Sequence, residues 1–93
     1  MIRFEFGATN LKTRRQGTLV VEIHTPRPVE GYPGNYECQI HISGVVDKEM
    51  RGVGAFPFQA VDLSLQIAKA VLRSHQAEWE LSFGQQGPVT FEY

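Results

Sequence analysis

Three residues of this 93-residue chain could form a polar centre: Glu22, His24 and His41. Two imidazoles and a carboxylate are groups that a divalent metal accepts, and they also exchange protons near neutral pH. Glu22 and His24 alternate along one predicted strand, and His41 points to the corresponding face of the next. If these strands are neighbours, the three side chains could bind a small ligand or a metal. The alternative is that all three are solvated surface residues.

The other chemically capable residues favour structural roles. Cys38 shares a strand face with Tyr36 and Ile40, which predicts a buried side chain. As the single cysteine, it excludes an intramolecular disulfide and a cysteine-pair zinc site. Glu78 and Glu80 alternate on a predicted strand, where two carboxylates are ordinary solvent-facing residues. We therefore predict no catalytic residue, no metal site and no cofactor.

Composition limits the class of protein. Hydrophobic residues at 42%, charged residues at 20% and a net charge of −1 are typical of a globular domain and exclude a disordered tail. The chain is not basic enough for a strong nucleic-acid binder, and Lys12, Arg14 and Arg15 are expected to form a solvated turn. Residues 1–27 carry a net +3 and residues 74–93 a net −3, which favours adjacent strands or contact across a dimer.

No membrane-spanning or secretory segment is predicted. The most apolar stretch, Phe56 to Leu72, contains Asp62 and Lys69 and is too short to cross a bilayer. The first residues have no apolar segment of signal-peptide length. We expect a soluble protein of a reducing compartment, the cytoplasm.

Hydrophobic periodicity predicts a single α+β domain over residues 1–93. The expected architecture is an antiparallel sheet of five to six strands with one long helix packed on one face, in the order β-β-β-(β)-α-β-β. The predicted elements are strands at Ile2 to Phe6, Thr18 to Thr25, Tyr36 to Ile42 and Met50 to Val53, a helix from Pro57 to Ser74, and strands at Trp79 to Phe83 and Val89 to Tyr93.

Proline and glycine predict the connections. Pro26 and Pro28 lack amide protons, so the ladder should end there or continue only as an unpaired edge. The sequence Tyr32-Pro33-Gly34-Asn35 is typical of a type II turn, because glycine accepts the positive φ of the third position. Gly52 and Gly54 should loosen the chain before the helix, and the bulky Phe56-Pro57-Phe58 that follows argues against a phosphate cradle.

The helix carries two apolar stripes. The first is expected to cover the sheet and consists of Phe58, Val61, Leu65, Ala68 and Leu72. The second contains Ala60, Leu63, Ile67, Ala70 and Ser74, with Val71 at its edge, and one helix on a sheet would leave it in water. One explanation is that the sheet curls around the helix, or that the segment of residues 12–16 or 47–51 folds over this stripe. The other is that the stripe is a contact surface for a second copy or another protein.

A loose pattern across residues 18–83 resembles a family of small bacterial domains of unknown function, DUF6968. The pattern combines Pro26, Cys38 and Gly44 with a Gly54-x4-Gln59-Ala60 spacing at the start of an apolar helix. The resemblance implies an α+β domain of bacterial type and no particular activity.

These features predict a non-enzymatic domain that acts through protein–protein contact, as a homodimer or with another protein, and without nucleic acid or membrane. The second helix stripe supplies the predicted interface, Leu63, Ile67, Ala70 and Val71. The alternative function is a small-ligand or metal-binding domain, or an enzyme, centred on His24, His41 and Glu22.

Overall fold

A computed structural model describes residues 1–82 and 88–89 of the chain, and it confirms the α+β prediction: one helix packs against an antiparallel sheet in the predicted order. The elements are β1 Ile2–Asn10, β2 Gln16–Ile23, β3 Arg27–Pro28, β4 Tyr36–Gly44, β5 Lys48–Gly54, α1 Pro57–His75, β6 Trp79–Ser82 and β7 Pro88–Val89. The predicted strand at Met50 to Val53 is present as part of β5. The predicted strand residues Phe83, Phe91 and Tyr93 lie outside the described residues.

The sheet runs in the order β3-β4-β2-β1-β6-β7, and β5 pairs with the other side of β4. Because β2 pairs with the second half of β4 and β3 with its start, β2 and β3 lie in line along β4. Pairing of β1 with β6 confirms that strands from the positive and negative ends of the chain are adjacent.

The prediction that the proline segment is unpaired is wrong. Arg27 lies opposite Glu37 and Pro28 lies opposite Tyr36. Antiparallel partners alternate between hydrogen-bonded and non-hydrogen-bonded pairs. Pro28 occupies a non-hydrogen-bonded position, where its missing N–H costs no ladder bond.

The predicted type II turn is confirmed and brings β3 back to β4. The Asn35 amide donates to the Tyr32 carbonyl oxygen at 3.1 Å. Gly34 has φ of +85°, the left-handed region that this turn requires at its third position.

One face of the sheet forms the core with α1. Cross-strand register aligns the alternating apolar residues of four strands, so that Phe4 lies opposite Val21 and Val21 opposite Ile42. The buried apolar side chains are Phe6, Ala8, Leu19, Val21, Ile23, Cys38, Ile40, Ile42, Ala60, Ala68, Leu72 and Leu81. The opposite face, which we call the open face, carries the polar alternates.

Two glycines of β5 allow α1 to approach the sheet unusually closely. A Cβ at Gly52 would lie 2.6 Å from the Ser64 amide nitrogen and 2.8 Å from the Ala60 carbonyl oxygen. A Cβ at Gly54 would lie 2.9 Å from Cγ of Gln59. The Gly-x-Gly spacing, expected only to loosen the chain, therefore belongs to the strand and serves helix packing.

This close contact shifts the buried face of the helix from the predicted one. Ala68 and Leu72 are buried as predicted, and Val61 and Leu65 pack against the core in part. Ala60 was predicted for the second stripe and is buried instead, together with Ser64, whereas Phe58 was predicted to face the core and is 76% exposed. The small side chains of Ala60 and Ser64 fit against the β5 glycines, where the larger residues of the predicted stripe would not. Phe58 instead stacks on Phe56, with ring centroids 6.2 Å apart.

Within residues 1–82 and 88–89, no helix combines the length and apolar character needed to cross a membrane.

Candidate functional site

The structure brings two of the three predicted polar residues together on the open face. Glu22 lies directly opposite His41 in the β2–β4 ladder. Nδ1 of His41 is 3.8 Å from Oε1 of Glu22, and Nε2 of the same ring is 3.7 Å from Oδ1 of Asp47. His41 thus lies between two carboxylates. The sequence pattern predicted the Glu22 contact, whereas Asp47 comes from the loop before β5.

His24 lies one step along the same face. Its amide donates to the Gln39 carbonyl oxygen at 2.9 Å, so it follows β2 beyond the Glu22–His41 pair. His24, Glu22 and His41 line a shallow depression of about 560 Å³, together with Gln39, Ile40, Glu49, Met50 and Arg51. In the part of the chain that the structure describes, no three His, Cys, Asp or Glu side chains are grouped so that they could hold a metal ion.

The strongest polar contact of the open face involves Glu37, which sequence analysis did not single out. Its carboxylate accepts a hydrogen bond from Nε of Arg27 at 2.8 Å and another from Nη1 of Arg51 at 2.6 Å. The Glu37 side chain is only 9% exposed, whereas both arginines are largely exposed. The hydrogen bonds from Arg27 and then Arg51 lower the pKa of Glu37, because they favour the ionised carboxylate.

The Glu37 contact could not be predicted because it depends on strand register. Arg27 reaches Glu37 through the short β3–β4 pairing, and Arg51 reaches it from β5. The connection of residues 29–35 contains a proline and two glycines with positive φ, so its length does not reveal which residues pair. Glu37 differs from the other polar residues of the open face only in being buried. Its burial cannot be recognised from the sequence.

Cys38 is buried, as predicted. Its sulfur donates to the His24 carbonyl oxygen at 3.1 Å. A nucleophilic thiol requires a base and a positively charged environment. The contact with a backbone carbonyl provides neither, which is consistent with the structural role expected of Cys38.

The two flanks of α1 face different surroundings. One flank borders an apolar groove of about 210 Å³ whose other wall comes from β1 and β2. The groove is lined by Phe4, Phe6, Val21, Ile23, Leu65, Ala68, Lys69 and Leu72. Since α1 packs over β4 and β5, the opposite flank points away from β2, beyond the outer side of β5.

This opposite flank carries the predicted interface, and we call it the outer flank: Leu63, Ile67, Ala70 and Val71. Leu63 and Ile67 are half-buried, Ala70 is exposed, and Val71 packs against the core at the inner margin of the flank. Neither of the two segments expected to cover it folds over the helix as a loop. Residues 48–51 belong to β5, whereas residues 12 and 13 lie in the turn between β1 and β2 and Gln16 begins β2.

The outer flank lies beside a free strand edge. Among the described residues, β5 pairs only with β4, so its outer backbone groups face no other strand. An edge strand with unpaired N–H and C=O groups can accept a further strand. An apolar helix flank next to such an edge forms one continuous surface with both apolar and hydrogen-bonding groups.

No protein-family model matches the chain, and no curated protein or solved structure matches it either. Its function therefore has to be inferred from the geometry of its surfaces. The outer flank with the edge of β5 is the first candidate, and the depression on the open face is the second.

Proposed function

We propose that this protein is a small non-enzymatic domain that acts through protein–protein contact, by pairing with a second copy of itself. The outer flank of α1 is the contact surface. The observation that carries the proposal is that the apolar residues Leu63, Ile67 and Ala70 lie beside the edge of β5 that pairs with no other strand within residues 1–82 and 88–89. Covering such a surface removes apolar area from water and satisfies backbone groups at the same time.

The polar side chains of the open face support a structural role for that face. Glu37 is held by two arginines, and His41 lies between two carboxylates. Cys38, the single thiol, donates to a backbone carbonyl. The carboxylate, imidazole and thiol are thus engaged in contacts within the fold, which favours a binding domain over an enzyme.

A bacterial origin and a cytoplasmic location belong to the same proposal. The Gly54-x4-Gln59-Ala60 spacing supports the resemblance to DUF6968. In the structure this spacing has a physical role, because Gln59 packs against Gly54 and its Oε1 accepts from the Ala55 amide at 2.7 Å. The single buried Cys38 suits a reducing compartment.

The proposal is tested by placing a charge on the outer flank. Ala70 is exposed, so Ala70→Glu leaves the core intact and puts a carboxylate where the partner would pack. The matched control is Phe58→Asp, which removes a larger exposed apolar side chain from the same helix, away from the outer flank. Light scattering should show a dimer for the native chain and for Phe58→Asp, and a monomer for Ala70→Glu. At concentrations where the native chain is also monomeric, Ala70→Glu should have the same thermal stability as the native chain. A native monomer, or a dimer that survives Ala70→Glu, would overturn it.

The depression on the open face carries the second candidate function, a small-ligand or metal-binding site. The observation in its favour is that Glu22, His24 and His41 line one depression of about 560 Å³. Calorimetric titration with zinc, nickel and manganese tests the metal version. Binding heat that disappears in both His24→Ala and His41→Ala would favour the metal version. The absence of binding heat in the native chain would eliminate it.

A further inference from the structure

The ladder contacts show which backbone groups of β5 point outward. The Gln39 carbonyl accepts from the His24 amide, so the backbone N–H and C=O groups of Gln39 point toward β2. Because the direction of these groups alternates along a strand, those of Cys38, Ile40 and Ile42 point toward β5. Their partners in the register are Gly52, Met50 and Lys48. The N–H and C=O groups of the intervening residues of β5, Glu49, Arg51 and Val53, therefore point away from the sheet.

We propose that two copies join by antiparallel pairing of their β5 edges, with Met50 on the twofold axis. This inference rests on the proposed self-association and specifies its geometry. In this register Glu49 lies opposite the partner's Arg51, and Arg51 opposite the partner's Glu49. Both are outward-pointing residues, so each pair supplies backbone hydrogen bonds as well as opposite charges.

The neighbouring symmetric registers are less favourable. Centring the pairing on Arg51 would place it directly opposite the partner's Arg51, and like charges in that position destabilise a ladder. Centring it on Gly52 would place Arg51 opposite the partner's Val53 and leave no charge pair. If the twofold axis passed between two residues of β5, each residue would lie opposite one that points to the other face in its own copy. Directly opposed side chains share a face, so the two helices would then lie on opposite faces of the joined sheet. Such a register would separate the outer flanks.

Helix spacing independently agrees with edge pairing. Oγ of Ser64 donates to the Cys38 carbonyl oxygen at 2.8 Å and accepts from the Gly52 amide at 3.0 Å. Ser64 thus lies over the gap between β4 and β5, and so does the helix axis. With neighbouring strands about 4.8 Å apart, the two helix axes of an edge-paired dimer would be roughly 10 Å apart. Packed helices are about 8–10 Å apart, so the outer flanks would meet directly.

The point at which the proposed twofold axis crosses the helix also fits this register. Ser64 contacts Gly52, and α1 runs antiparallel to β5. Met50 lies two residues before Gly52, about 6.6 Å back along the strand, a distance that a helix covers in about four residues. The twofold axis therefore crosses the helix near residue 68, where the outer flank presents Ile67 and Ala70. A twofold axis at Met50 puts the apolar flank and the charge pairs into the same interface.

A disulfide trap tests the register. Met50→Cys would place two thiols opposite each other at a non-hydrogen-bonded antiparallel position, with a Cα separation of about 4.5 Å that a disulfide spans. The control is Val53→Cys, whose Cα would be roughly 20 Å from its copy, six strand residues away. Native Cys38 is buried and remains reduced in both variants. We expect mild oxidation to link Met50→Cys into a covalent dimer at least tenfold faster than Val53→Cys.

Amide hydrogen exchange tests the same register on the native chain and requires no variant to fold. We expect the outward amides of Glu49 and Arg51 to exchange at least tenfold more slowly at high than at low protein concentration. The inward amides of Met50 and Gly52 should be unaffected. A native dimer in which Met50→Cys links no faster than the control and the Glu49 amide gains no protection would overturn the register and leave the proposed function standing. A native monomer at every concentration would overturn both.

Discussion

The hydroxyl of Ser64 donates a hydrogen bond to the carbonyl oxygen of Cys38 at 2.8 Å, although the two residues belong to different layers of the fold. The same hydroxyl accepts from the Gly52 amide, so a helix side chain is inserted into the ladder between β4 and β5. This contact fixes how far the helix is from the edge of β5. It therefore positions the outer flank for the proposed contact between two copies.

Ser64→Ala should lower the free energy of unfolding by about 1–3 kcal/mol, because it leaves a buried carbonyl and a buried amide without their shared partner. Urea denaturation at fixed protein concentration measures the change. Ser74→Ala is the control, since that hydroxyl also donates to a backbone carbonyl, that of Val71, but is exposed. Its cost should stay within about 0.5 kcal/mol. Equal costs for the two serines would contradict a role of Ser64 in the ladder.

Gly52→Ala should destabilise the fold by about 1–3 kcal/mol, because overpacking forces helix and strand apart. The added Cβ would meet backbone atoms of α1 at 2.6 and 2.8 Å, and these cannot rotate away. Gly17→Ala is the control, since its Cβ would meet Cγ1 of Val45 at 2.7 Å, the end of a side chain. Thermal unfolding should show the larger loss for Gly52→Ala. A larger loss for Gly17→Ala would argue against close helix packing on β5.

Glu37 should contribute to the acid sensitivity of the fold. Its pKa is lowered in the folded chain by Arg27 and Arg51, so the unfolded chain takes up its proton at higher pH. The resulting stabilisation is complete above the usual glutamate pKa, about 4.3, and is lost as the pH falls through the lower folded value. Glu37→Gln should therefore make the free energy of unfolding fall less steeply below about pH 4.3. The control is Glu30→Gln, which removes an exposed loop carboxylate instead. An equal change of slope in the two variants would contradict the role of Glu37.

Titration of the native chain with zinc should release no binding heat, since Glu22 and His41 meet in a pair and His24 lies further along the strand. Stable zinc sites use about four ligands, and a pair provides too few. Isothermal calorimetry near neutral pH measures this directly. Saturable heat that is absent from His41→Ala would instead support the ligand-binding alternative.

Alternation and turn chemistry predicted most of the fold. They placed β1, β2, β4 and α1 and put Glu22 and His41 on one face, because strand and helix periods are set by local backbone geometry. They failed where packing decided the outcome. Phe58 is exposed because the glycines of β5 draw the smaller Ala60 and Ser64 into the contact.

The candidate site was predictable only in part. Helical periodicity identified Leu63, Ile67 and Ala70 as a second apolar stripe, but it could not reveal that the stripe lies beside a free strand edge. That relation depends on which strands are neighbours, and the sequence predicted only Met50 to Val53 of β5, without its partners. The Arg27–Glu37–Arg51 cluster was invisible for the same reason, since three separate strands supply its members.

The mass of the protein in solution shows whether two copies associate. Multi-angle light scattering of the native chain should be recorded over roughly a hundredfold range of concentration, because the dimer population depends on concentration. Self-association predicts twice the mass of the 10.5 kDa chain at the high end, with a decline toward the monomer mass on dilution. A mass of 10.5 kDa across the whole range would contradict it.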